Sequence, residues 1–312
     1  MDSTQDIHNE DGFPIRPSRR IGRISLAVEA FGTPPSGGGG QSHSFSPMTA
    51  PKGKITKRLL ISATCKGGVG KSFFLINLAD WYIELDQSYL YFDSDVSNGT
   101  LTRFLPDSRF LGLSDGTDPA KEINIALEQN EVVGWDALGA TNSYLPDWID
   151  TALLKEGEPH EGFRTTVILM IEEDKDTVFQ AGETARRLGD RVDWLVVKNL
   201  KTCSTTEIYD NSKARQELLR LGAVEITMER VPWSLLATIQ RTSRTLSSLV
   251  LDETLPFLER QRLRTFQRRF FEQLEAARHL LLPTRIAEAS AAPTPEVRPL
   301  APHRPRVAPE EV

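Results

Sequence analysis

Between residues 57 and 282, apolar runs of strand length alternate with stretches in which apolar positions recur every three or four residues. RLLISAT (58–64) predicts a buried strand, and SFFLINLADWYIEL (72–85) the helix that follows it. SYLYFDSD (88–95) predicts a second strand ending in carboxylates, VVGWD (132–136) a short third, and RTTVILMI (164–171) a β-branched fourth. Helical TVFQAGETARRLG (177–189) comes next, then a fifth strand, DWLVVKN (193–199). IYDNSKARQELLRLG (208–222) reads as one helix closed by Gly222, and VEITME (224–229) as a sixth strand. This alternation predicts an α/β fold: a mainly parallel, doubly wound sheet with helices on both faces and ligands at the carboxyl ends of its strands.

The flanks differ. Residues 1–50 mix Ser, Gly, Pro and scattered charges around the run Gly37–Gly40, and hold one apolar patch, Ile21–Phe31, readable as a partner-binding peptide or as undocked coil. Residues 283–312 contain seven prolines and six alanines, a composition that opposes helix and offers little to bury. The expected organisation is a disordered tail over 1–56, one domain over 57–282 and a disordered tail over 283–312. Lys and Arg total 37 against 43 Asp and Glu, and the net charge of −6 argues against a globally basic nucleic-acid coat. Two cysteines, Cys65 and Cys203, cannot build a disulfide framework or a four-thiolate metal site. No apolar run reaches the roughly 18 residues that cross a bilayer, and residues 1–20 lack a signal-like apolar stretch, so a cytoplasmic location is expected.

The strongest chemistry lies between the first strand and its helix, in Lys66-Gly67-Gly68-Val69-Gly70-Lys71-Ser72. Glycines let the backbone fold so that successive N–H groups point inward, forming an anion-binding concavity at a helix N-terminus. Lys71 can then meet the β- and γ-phosphates, and the Ser72 hydroxyl can ligate Mg²⁺. The general phosphate-loop pattern has glycine where this chain has Cys65, and the chain adds Lys66 at the loop's second position.

With that lysine, KGGVGKS resembles the deviant Walker A loop of the ParA/MinD family of dimeric ATPases. The resemblance implies a P-loop NTPase fold of that type, with Lys66 crossing to the nucleotide of the other subunit. It implies ATP and Mg²⁺ as cofactors, and nucleotide contacts from Gly67, Gly68, Val69, Gly70, Lys71, Ser72 and Phe73. Asp93 and Asp95 in FDSDVSNGTL, followed by Asn98 and Thr100, resemble the family's switch I. By that resemblance Asp95 orients the attacking water and Asp93 holds the metal shell; the alternative is ordinary turn chemistry after a strand. Asp136 closes VVGWD as a Walker B carboxylate would and is a candidate on the Mg²⁺ side, or else a helix cap or surface acid; Gly134 interrupts the run. Asn199 stands where the family has an adenine-contacting asparagine, and Pro232 where it places a second base-facing loop. Guanine recognition normally shows Asn-Lys-x-Asp, whereas this chain reads Asn199-Leu200-Lys201-Thr202, which favours ATP over GTP.

Residues 254–282 predict a long terminal helix with Leu263, Phe266, Phe270, Leu274 and Ala277 on one face and Arg260, Arg264 and Arg268 on another, beside Arg262 and Arg269. Such a helix could pack on the domain, meet DNA phosphates or lie on an anionic membrane. RQRLRTFQRRFFEQLEAA, with KGGVGKS, DSDVSNGT and WDALGAT, looks like the TraL-type branch found with conjugative DNA transfer. The function implied is an ATP-dependent dimerising switch: a homodimer bridged through Lys66, catalysis by Lys66, Lys71 and Asp95, and metal at Ser72, Asp93 and Asp136. It would act in plasmid conjugation or cargo positioning, with a conjugation or cargo protein, DNA or membrane as partner. Two other readings stand beside it: a nucleotide-binding scaffold with little hydrolysis, and a ligase or synthetase that uses ATP.

Overall fold

The structure, a computed structural model, describes residues 55–64, 66–95, 98–112, 119–137, 144–149 and 162–284. Cys65, Val96, Ser97, Leu138–Ala140, the patch Ile21–Phe31 and the C-terminal segment 285–312 lie outside them.

Seven strands form one sheet in the order β3-β2-β4-β1-β5-β6-β7, every neighbouring pair parallel. They are β1 (Lys57–Ser62), β2 (Tyr89–Asp93), β3 (Arg109–Phe110), β4 (Val132–Asp136), β5 (Phe163–Ile171), β6 (Asp193–Asn199) and β7 (Val224–Met228). The parallel α/β architecture expected from sequence is therefore observed, and the sheet is wholly parallel among the described residues. β3 was not legible: two exposed residues on an edge leave no apolar period.

Alternation along the strands sends odd and even residues to two separate cores. Leu60, Tyr91, Ile168, Leu195, Val197 and Ile226 face one core, shared with α1 (Lys71–Glu84), α2 (Thr100–Phe104), α8 (Trp233–Thr242), α9 (Leu246–Val250), α10 (Phe257–Ala276) and α11 (Arg278–Leu281). Leu59, Ile61, Trp135, Val167 and Val196 face the other, under α3 (Pro119–Gln129), α4 (Tyr144–Trp148), α5 (Lys175–Leu188), α6 (Glu207–Asp210) and α7 (Lys213–Arg220). Two covered faces explain why the central strands read as continuous apolar runs.

Three expected boundaries move. The second strand stops at Asp93, because that carboxylate turns to accept the N–H groups of Leu101 and Thr102 at the start of α2. The helix expected over 208–222 is two helices, since the Ser212 hydroxyl accepts from Arg215 N and starts α7 afresh. The terminal helix ends at Ala276 and a further turn follows. Its apolar positions Leu263, Phe266, Phe270 and Leu274, and Ala277 just past its end, are buried in the first core, while Arg262, Arg264, Arg268 and Arg269 remain exposed. Among the described residues no helix is long and apolar enough to cross a membrane.

Candidate functional site

β1 is central, so the loop between it and α1 opens at the carboxyl edge of the sheet, with the ends of β4 and β5 beside it and those of β2 and β6 one strand further out. Gly68 (φ +75°) and Gly70 (φ +89°) take the left-handed conformation that side chains resist, and Gly70 is the residue before the first turn of α1. A Cβ at Gly70 would lie 2.8 Å from Asn199 Nδ2. Val69 between them is fully buried and anchors the loop in the first core, leaving its backbone to face the site. The first turn of α1 carries no acidic residue, so its N–H groups present uncompensated positive potential. Lys71 lies back along the loop, its Nζ donating to Lys66 O at 3.3 Å.

Beneath the loop, strand register brings Ser62, Asp136 and Asp93 side by side on the α1 face of the sheet. The Ser72 hydroxyl donates to Asp136 Oδ2 at 2.5 Å, whereas Asp136 Oδ1 is buried with no hydrogen-bond partner. Burial pushes the Asp136 carboxyl up to about 6, against the opposing pull of the Ser72 hydrogen bond and the Lys71 charge. A buried carboxylate with one oxygen on a serine hydroxyl and the other orphaned fits a divalent cation. Among the described residues no group of three or more His, Cys, Asp or Glu is arranged as a metal cage. Mg²⁺ needs none, because it is usually held by one or two side chains together with phosphate and water oxygens.

The two switch-region carboxylates are placed differently. Asp93 is buried; its Oδ1 accepts from Asp95 N at 2.9 Å and its Oδ2 from Leu101 N at 3.0 Å. Burial raises its pKa, partly offset by those backbone donors. Asp95 Oδ1 accepts from Asn98 N at 3.1 Å and Oδ2 from Asn98 Nδ2 at 2.8 Å, so both oxygens engage its own loop. Lys66 pairs with Asp174 Oδ2 at 2.8 Å, and that hydrogen bond raises the lysine and lowers the carboxyl. Both side chains are about one-third exposed, at 36% and 30%.

Beside the loop opens a cavity of about 510 Å³, walled by Gly70, Phe73, Asn199, Met228, Val231 and Trp233 among others. Its size and largely apolar wall suit an aromatic ligand. No family model matches the chain, and no curated protein aligns with it. Among solved structures it is similar to the MinD cell division protein of Aquifex aeolicus, at 15% identity over 69% of this chain and 97% of that one, with a TM-score of 0.42. The cell division ATPase MinD of Pyrococcus furiosus gives 14% identity over 72% and 100% of the two chains, with a TM-score of 0.42. FtsY of Mycoplasma mycoides gives 17% identity over 55% and 60%, with a TM-score of 0.35.

The structure thus gathers Lys66 to Phe73, Asp93, Asp136 and Asn199 around one loop. Pro232 sits in the segment that borders the cavity: it is exposed, its carbonyl accepts from Leu235 and Leu236 to start α8, and the wall itself is made by its neighbours Val231 and Trp233. Asn199 is spent on the loop, its Nδ2 donating to Val69 O at 2.8 Å and its Oδ1 accepting from Lys201 N at 3.0 Å. Sequence reasoning missed Asp174, Lys201 and Trp233. Only Lys201 had a visible signal, two positions after Asn199 at a strand end.

Proposed function

We propose that the chain is an ATP-dependent dimerising switch with slow, Mg²⁺-dependent ATP hydrolysis, carried by an ATPase domain over 57–282 between two tails. The observation that carries the reading is the Ser72–Asp136 pair with its orphaned Oδ1, set under a glycine loop that holds Lys71. Ser72 and Asp136 would hold Mg²⁺, with Asp93 behind them. The ion, when bound, neutralises charge on the β- and γ-phosphates. Backbone N–H groups from Gly67 to Lys71 enclose the triphosphate, Lys71 neutralises it, and the cavity beside Phe73 takes the adenine. Lys66 leaves Asp174 to reach the nucleotide of a second copy, which makes the dimer depend on ATP. Because the machinery is preorganised charge and no nucleophilic side chain is needed, turnover is limited by how well water is oriented, the role assigned to Asp95. The sequence resemblance supports a role in plasmid conjugation or cargo positioning with a protein or DNA partner, and the chain's composition supports a cytoplasmic location for it.

The test is mass in solution and calorimetry with ATP and Mg²⁺. Wild type is expected to take up ATP and shift toward a dimer, and Lys71→Ala to do neither; no adenine-nucleotide uptake by wild type would end this reading. One observation favours the second reading, a scaffold that binds without turnover: both Asp95 oxygens are occupied by Asn98. Equal, near-zero hydrolysis by wild type and Asp95→Ala, with tight ATP binding, would select it.

A further inference from the structure

A loop that turns its N–H groups inward to an anion must turn carbonyls outward, and those carbonyls need donors. Here two successive ones are met from the same place. At the end of β6, the buried Asn199 gives its Nδ2 to Val69 O at 2.8 Å, and the exposed Lys201 gives its Nζ to Gly68 O at 3.0 Å. The two donors are themselves linked, since Asn199 Oδ1 accepts from Lys201 N, and Leu200 N between them donates to Met228 O at the end of β7. Gly68 is one of the loop's two glycines with positive φ, and since glycine takes either sign of φ about equally, outside contacts must select this one. Lys201 and Thr202 also line the cavity, so one three-residue segment both grips the loop and borders the nucleoside space.

We infer that Lys201 is a positioning residue for phosphate binding: its ammonium fastens Gly68 so that the loop is already shaped before a phosphate chain arrives. Fastening works through the loop and not through contact with the ligand, and it removes an ordering cost that would otherwise be subtracted from affinity. The binding arm of this inference rests on the nucleotide reading; the loop arm does not.

The experiment compares wild type, Lys201→Met and Lys201→Arg as full-length chains. In the nucleotide-free proteins, hydrogen exchange of the amides at 67–71 is measured. It is expected to speed up in Lys201→Met and to return toward wild type in Lys201→Arg, while the thermal midpoint stays unchanged because the side chain is exposed. Calorimetry with ATP and with inorganic tripolyphosphate is expected to show both weakened about tenfold in Lys201→Met, as for loss of a charge-assisted hydrogen bond. Adenosine, which has no phosphate to use the fastened loop, should lose less affinity than either, only what the change in the cavity wall at Lys201 takes away. The loss should persist at high salt, where a through-space attraction between the lysine and the phosphates would be screened away. Unchanged loop exchange in Lys201→Met overturns the inference, as does a loss confined to low salt or one as large for adenosine as for ATP and tripolyphosphate. Failure of wild type to bind any of the three ligands counts against the nucleotide reading, and loop exchange still decides the role of Lys201.

Discussion

At the scale of single residues, Gly134 shows how a flaw in a motif becomes a packing requirement. It interrupts the apolar run before Asp136, yet a Cβ there would lie 2.4 Å from the ring of Tyr91, which is almost wholly buried on the neighbouring strand. Gly134→Ala is expected to cost about 1–3 kcal/mol in chemical denaturation, the range for overpacking, and a neutral result would refute the contact. Asp136 itself gives a pH signature. Its folded pKa of about 6 stands above the unfolded value near 3.8, so its contribution to stability is complete below the unfolded value and disappears as pH rises through the folded one. A displacement of that size corresponds to about 3 kcal/mol at most. Asp136→Asn, without metal, should therefore be more stable than wild type at pH 7.5, with the gap closing as pH falls toward 4; a gap independent of pH would contradict the burial argument.

At the scale of elements, legibility followed burial. β4 and β6 are placed at 132–136 and 193–199 by sequence and by structure alike, because strands covered on both faces carry short apolar runs, Val132–Val133 with Trp135 and Trp194–Val197, bounded by polar residues. The break at Ser212 was hidden inside a helical period that continues across it, and β3 has no period to read. For the candidate site, residue types were legible but hydrogen-bond partners were not, since Asn199 and Lys201 meet the loop across more than a hundred positions of chain. Asp174 is a case in point: it caps α5, accepting from Asp176 N and Thr177 N, while also holding Lys66. Asn caps a helix as well as Asp does but carries no charge. Asp174→Asn should thus keep α5 intact and free Lys66, letting the ATP-favoured dimer form at a few-fold lower protein concentration, a small effect because the pair is exposed. A weaker dimer in sedimentation experiments would show instead that Asp174 supports the assembled state.

At the scale of the molecule, the site at one end of the sheet is separated from the joint that fastens α11 at the other. Arg58, 1% exposed at the start of β1, donates through Nη1 to Asp193 and to Thr166 Oγ1, and through Nη2 to His279 O. Thr166 Oγ1 donates to Leu280 O, and Tyr82 OH to Leu281 O. Three consecutive carbonyls of α11, which no further helical turn could satisfy, are thus met by buried donors from β1, β5 and α1. Burial lowers the Arg58 pKa and Asp193 opposes that, so the pair is stable only while both partners are present. Arg58→Met should cost about 3–5 kcal/mol, because it leaves Asp193 with one fewer cation and His279 O without its donor. Arg58→Lys should recover little, since a single ammonium cannot serve three acceptors held in a planar fork. Four residues of extended β1, Leu59–Ser62, separate this joint from the loop side of the strand, a span of about 13 Å, so nucleotide affinity measured well below the melting temperature should be the same in Arg58→Met and wild type. A large affinity loss in that variant, with the fold intact by circular dichroism, would mean that the C-terminal joint and the phosphate loop form one cooperative unit.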